Sequence, residues 1–198
     1  MLTDAIKQLK TAIIMLIIFT LLTGLIYPGL VTGLAQLLFP WQANGSMLVQ
    51  NGKRLGSVLI GQSFTDPKYF WGRPSATTPY PYNAELSTGS NLGPSNPDFL
   101  KTVKERVAAL QKSNPQNQVK VPVDLVTASG SGLDPDISPY GAYYQAPHIA
   151  LARQIPEAQV YALIQKNIQR RIFGIFGEPR VNVLELNLAL DNISMQKE

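Results

Sequence analysis

"AIIMLIIFTLLTGLIYPGL", residues 12–30, decides the architecture of this 198-residue chain. It carries no charged side chain. A helix of this length, at about 1.5 Å rise per residue, reaches roughly 28 Å, close to the hydrocarbon thickness of a bilayer. Apolar character continues through "VTGLAQLLF" to Phe39, and Trp41 then stands where an interfacial aromatic anchor belongs. Lys7 and Lys10 precede the apolar run, and no Lys or Arg follows it before Lys53. The positive-inside rule then orients the segment. It predicts a cytoplasmic N-terminus over residues 1–10, one transmembrane helix over 11–39 and an extracytoplasmic domain over 40–198. The chain is expected to be single-pass in the inner (plasma) membrane, with its main domain periplasmic or extracellular.

A cleaved signal peptide is the competing reading. Gly33 and Ala35 form a small-x-small site, and Pro28 would end the apolar core. Against cleavage, the apolar run continues through Leu37, Leu38 and Phe39. Small residues recur at helical spacing, Thr20 with Gly24 and Gly29 with Gly33, which offers a seam for another membrane helix.

Composition removes several chemistries. There is no cysteine, so disulfides and thiolate sites are excluded, and the single imidazole, His148, leaves no histidine-rich metal site. The 17 basic residues are scattered and the net charge is only +4, which argues against nucleic acid as a partner. No Walker A loop, no GxGxxG opening a helix and no Asp-Lys-Thr-Gly phosphorylation motif is present.

Beyond the apolar run the pattern predicts a mixed α+β domain. Met47–Gln50 and Ser57–Ile60 are β-prone runs around an Asn51-Gly52 turn signal. Residues 65–96 lack periodicity, yet Tyr69, Phe70, Trp71, Tyr80 and Tyr82 argue for an ordered loop packed on something. Asn96, Pro97 and Asp98 announce a helix whose apolar face is Phe99, Leu100, Val103, Val107 and Leu110. "VKVPVDLV" alternates like a strand. Ser138-Pro139 starts a helix that Pro147 should break or kink, and Pro156 opens another with Val160, Leu163, Ile164 and Ile168 on one face. "PRVNVLELNLAL" has period-two alternation and predicts a strand that turns helical late.

The segment "VTASGSGLDPDISPYG", Val126–Gly141, looks like a catalytic loop. Ser131 with His148 and Asp134 supplies the residue types of a membrane-tethered hydrolase, which stands as the alternative function. The "GSG" lacks the strand-elbow-helix frame of a nucleophile elbow, and loop aspartates such as Asp134 and Asp136 more often make turns and caps. His148, directly after Pro147, is expected at the surface. A third reading is a peptide- or lipid-binding module built on the aromatic loop. Phe70, Trp71 and Arg73 mix aromatic area with a planar cation, as interface hot spots do. Trp71 as a core residue and Arg73 paired with a nearby carboxylate fit equally well. Asn91 and Asn96 suit loop-shaping beside such a contact.

The stretches "FPWQANGS" (39–46), "GSVLIGQSF" (56–64), "FWGRPSAT" (70–77), "PYN" (81–83), "GSNLGPSNP" (89–97), "VTASGSGLDPDISP" (126–139) and "VNVLELNLALD" (181–191) closely resemble the C subunit of the Kdp potassium-transporting P-type ATPase. The likeness runs over nearly the whole chain. It implies an accessory, non-catalytic subunit of a high-affinity potassium importer, placed beside the channel-like A subunit, the ATP-hydrolysing B subunit and the small F subunit in the lipid bilayer. It further implies a role in assembly and in raising the ATP affinity of the B subunit. ATP is the nucleotide this implies, with no firmly bound cofactor and no metal. Gln145, in "YYQAPHIALAR", matches a glutamine tied to that nucleotide role. The family pattern has arginine where His148 stands.

Overall fold

The computed structural model describes residues 2–50, 52–115 and 117–195. The chain divides into two compact units, residues 1–55 and 56–198.

The first unit is dominated by one helical rod. Helix α1 (Leu2–Leu21) passes through a π-helical turn, Leu22–Ile26, into α2 (Tyr27–Leu38). Pro28 does not stop it. A proline has no N–H to donate and its ring crowds the carbonyl four residues back, here that of Gly24. The wide turn lies where that conflict falls, and the Tyr27 N–H bonds the Leu22 carbonyl five residues back. All side chains from Asp4 to Leu34 are exposed, and the stretch Asp4–Leu38 is long and apolar enough to cross a membrane. The rod ends at Phe39, and the short α3 (Pro40–Ala43) follows. Asn44 Nδ2 donates to Gln36 Oε1 at 3.0 Å, and Trp41 Nε1 to the Met47 carbonyl at 3.1 Å, which fixes the turn beyond the rod.

Strands β1 (Met47–Gln50) and β2 (Lys53–Ser57) form a two-stranded sheet. The second strand therefore starts earlier than the alternation suggested. Gly52 holds the turn at φ +75°, and Asn51 lies outside the described residues.

The second unit has helices α4 (Pro97–Ser113), α5 (Pro139–Arg153), α6 (Glu157–Asn167) and α7 (Val183–Met195) with strands β3 (Asp136–Ile137), β4 (Ile168–Gln169) and β5 (Arg180–Asn182). The strands form one antiparallel sheet in the order β3-β5-β4, with Ile137 and Ile168 both opposite Val181. Helices α5, α6 and α7 pack on it around Ile149, Val160, Ile164, Val181, Leu186 and Leu190, all fully buried.

Helix α4 has the predicted N-terminus. Asn96 Oδ1 accepts from the Asp98 and Phe99 backbone N–H groups, and Pro97 sits where no donor is needed. Three other expectations fail in whole or in part. Residues 119–126 form no strand. Pro122 leads into a 3₁₀ turn at Val123–Leu125, and the Asp124 carboxylate accepts from the Ser138 N–H at 2.7 Å. Of the break or kink expected at Pro147, the break does not occur, and helix α5 runs on from Pro139 to Arg153. The tail is strand for three residues and helical from Val183 onward, because Val183, Leu186, Leu190 and Ile193 also recur every three or four positions. Packing against α6 and β5 selected the helical solution.

Candidate functional site: a clamped aromatic loop

Residues 65–96 contain no helix or strand, yet they are held tightly. Two amide side chains do most of the holding. Gln145, on α5 and fully buried, accepts from the Trp71 N–H at 2.8 Å and donates back to the Trp71 carbonyl at 3.1 Å. Its remaining amide hydrogen goes to the Gly141 carbonyl at 3.2 Å. Asn187, on α7, does the same one residue earlier, accepting from the Phe70 N–H at 2.8 Å and donating to the Phe70 carbonyl at 3.0 Å. A primary amide offers the donor and acceptor of a peptide group, so each bracket replaces a missing strand partner. Buried backbone groups demand such partners.

The start of the loop is held by α5 and α7 as well. Arg153 pairs with Asp191 at 2.7 Å, donates to the Lys68 carbonyl, and stacks its guanidinium 4.8 Å from the Tyr69 ring centroid. Tyr69 closes the group by donating to Asp191 at 3.1 Å.

Further along, the loop is bound to the serine-glycine segment that looked catalytic. Ser75 Oγ donates to the Gly132 carbonyl at 2.7 Å and accepts from the Tyr82 N–H at 2.9 Å. Gly132 adopts φ +69°, and a Cβ there would lie 2.6 Å from both Thr77 Cγ2 and the Thr88 carbonyl oxygen. Ser129 is buried and accepts from the Gly132 N–H, while the exposed Ser131 accepts from the Leu133 N–H. Asp134 turns the chain by accepting from the Asp136 N–H and pairs with Arg73 at 3.1 Å. Asp136 pairs with Arg180 at 2.9 Å; burial raises its carboxyl pKa, with the Arg180 charge opposing.

Ser131, His148 and Asp134 do not assemble a relay. His148 lies in the interior at 7% exposure rather than at the surface, and neither ring nitrogen has a hydrogen-bond partner among the described residues. Its ring faces Trp71 at 6.0 Å between centroids. Burial pushes its pKa down to about 4, so the imidazole is neutral at pH 7. Helix α5 continues past Pro147, and His148 lies among its buried residues with Gln145 and Ile149.

A cavity of about 350 Å³ opens beside the clamp, lined among others by Phe64, Trp71, Arg73, Tyr82, Arg106 and Leu110. Burial lowers the Arg106 pKa, and its guanidinium donates to the Val126 carbonyl at 2.9 Å. The Tyr82 phenol, pushed up to about 12 by burial and by the Asp134 charge, donates to the Arg73 carbonyl.

The residues singled out from sequence therefore separate. Phe70 is fully buried, and Asn96 is committed to the α4 cap. Trp71 and Arg73 are half-buried at the cavity, and Asn91 is exposed with φ +52°. Thr20, Gly24, Gly29 and Gly33 lie on the exposed rod, where a Cβ on any of the three glycines would meet nothing within 4 Å. Sequence reasoning missed Asn187 and Ser75, while Tyr82 entered it only as one of the rings expected to pack. One faint signal existed for Asn187, a polar amide in the leucine-rich "LELNLAL", where Glu185 is the other polar residue. Among the described residues no three His, Asp or Glu side chains gather into a metal-binding group.

The architecture defines a class: one long apolar N-terminal helix, then a mixed helix-and-strand unit whose polar side chains are largely spent on its own loops. The family model described as "K+-transporting ATPase, c chain" (KdpC) matches residues 9–192, and the chain belongs to that family. It is 59% identical over 186 residues to the "Potassium-transporting ATPase KdpC subunit" of Methylococcus capsulatus, covering 94% of this chain and 98% of that protein. The protein of the same description from Variovorax paradoxus is 57% identical, covering 92% and 95% of the two chains. That from Dechloromonas aromatica is 53% identical, covering 94% and 97%.

Proposed function

We propose that this chain is an accessory, non-catalytic subunit of an ATP-driven potassium importer, working with a channel-like A subunit, an ATP-hydrolysing B subunit and a small F subunit. Family membership over residues 9–192 is the observation that carries the reading. In it, the rod crosses the membrane once with residues 1–10 in the cytoplasm, the Thr20-Gly24 and Gly29-Gly33 seam packs against a partner helix, and residues 40–198 lie outside. The commitment of Ser131, Asp134 and His148 to turns, an ion pair and the core supports an assembly role over hydrolysis.

The effect on ATP affinity then reaches the B subunit indirectly. An outer domain and a cytoplasmic nucleotide site communicate only through the conformational equilibrium of the whole complex. Trp71, Arg73 and Asn91 present the accessible part of the loop to a neighbouring subunit. Gln145 acts by holding that loop, because a direct nucleotide contact would require its amide to leave Trp71 and Gly141.

The test is a complex whose C subunit is cut back to residues 1–42. Lowered apparent potassium affinity and a changed ATPase rate are expected. Unchanged values of both would sink the proposal. A Ser131→Ala complex of normal assembly and turnover separates this reading from the hydrolase.

A further inference from the structure

The segment between β4 and β5 takes no part in the clamp, yet it carries the largest exposed apolar side chains of the second unit. Its sequence is "RRIFGIFGEPR", residues 170–180. Ile172 and Phe176 pair as an antiparallel bridge, with N–H to carbonyl distances of 2.9 and 3.0 Å. Between them Phe173 and Gly174 adopt positive φ, +54° and +73°, as the central residues of a tight turn that the Ile175 N–H closes onto the Ile172 carbonyl at 3.1 Å. Such a conformation is rare for an aromatic residue and places strain at the tip. The outcome is a preformed knob: Ile172 is 58% exposed, Phe173 88%, Ile175 71% and Phe176 65%. Four large apolar side chains clustered in the open mark a contact surface rather than ordinary surface scatter.

The charges at its base indicate what covers it. Arg170 and Arg171 precede the knob and Arg180 follows it, against one acidic residue in the segment, Glu178. Arg171 meets the Glu178 carboxylate at 2.7 Å, and Arg180 meets Asp136 at 2.9 Å. Arg170 is exposed and adds a positive charge at the collar. A convex apolar tip with a guanidinium collar is complementary to an anionic bilayer surface. The rings and aliphatic groups reach the headgroup–acyl boundary, while the cations meet lipid phosphates.

We propose that the 170–180 hairpin is a membrane-contact wedge, in which Ile172, Phe173, Ile175 and Phe176 enter the interfacial layer of an anionic bilayer and Arg170 binds its phosphates. This rests on the reading that the Asp4–Leu38 rod crosses a membrane, to which the second unit is then covalently tethered.

Because the chain has no cysteine, single reporters are easily placed. An environment-sensitive fluorophore is attached at Ile175→Cys, at Leu151→Cys as an exposed reference, or at Leu16→Cys within the rod. Each variant is assembled with its pump partners, carrying no reactive cysteine of their own, in phosphatidylglycerol vesicles containing nitroxide lipids. The expected result is quenching by shallow nitroxides at 175, by deep nitroxides at 16, and none at 151. Changing Arg170 to Gln should reduce quenching at 175 about twofold in these vesicles and leave it unchanged in phosphatidylcholine. Quenching at 16 without quenching at 175 overturns the wedge while the rod still spans the membrane. A blue-shifted, unquenched signal at 175 also overturns it, and assigns the knob to a protein pocket. Absence of quenching at 16 removes the membrane span and the wedge with it.

Discussion

The side-chain amide of Gln145 brackets the Trp71 peptide from both sides, with its oxygen 2.8 Å from the Trp71 nitrogen and its nitrogen 3.1 Å from the Trp71 carbonyl. Gln145→Ala leaves the Trp71 N–H and carbonyl without a partner in the interior. The expected cost is about 2–4 kcal/mol, made of unsatisfied polar groups and a small cavity. The variant should melt earlier in the complete absence of nucleotide, and the loop around Trp71 should become protease-sensitive. An unchanged melting temperature without ATP would contradict the clamp and favour a direct nucleotide role.

Gly132→Ala tests the weld between the aromatic loop and the serine-glycine segment. The added Cβ would lie 2.6 Å from Thr77 Cγ2 and from the Thr88 carbonyl oxygen, at φ +69°. Destabilisation of about 2–3 kcal/mol is expected from strain and overpacking together. Gly130→Ala is the control, since a Cβ there meets nothing within 4 Å, and it should stay within about 0.5 kcal/mol of the parent in denaturant titration.

His148 predicts an acid limb of stability. In the unfolded chain its imidazole binds a proton near the ordinary pKa of 6.5; in the fold, burial delays this until about 4. Between these values the unfolded state holds more protons, so acid favours unfolding. The contribution is intact above pH 6.5, declines as the pH falls, and reaches about 3 kcal/mol of lost stability near pH 4. His148→Gln should flatten this limb in urea titrations at stepped pH. An equally steep limb in the variant would assign it to other groups.

Arg73 and Asp134 form an ion pair at 3.1 Å, with both side chains about one-quarter exposed. A double-mutant cycle using Arg73→Ala and Asp134→Ala should give a coupling of about 1 kcal/mol, weaker at high salt. A coupling indistinguishable from zero would show that the pair does not restrain the cavity wall.

What the sequence determined by itself are features set by local chemistry. A run without charges over residues 12–30 has one economical solution, a continuous helix, and Pro28 alters its hydrogen bonding without ending it. Asn96, Pro97 and Asp98 fix the start of α4 through groups within three residues of one another. The density of rings in residues 65–96 correctly announced a packed loop. Tertiary structure decided whatever depended on a distant partner. The tail alternates at period two and recurs at helical spacing together, so packing on α6 and β5 chose the helix at Val183. Gln145 and Trp71 are 74 positions apart, and Asn187 and Phe70 are 117 apart. An amide side chain carries no mark of the peptide it will bracket. Only the folded chain brings the two together, and burial then makes the bracket obligatory.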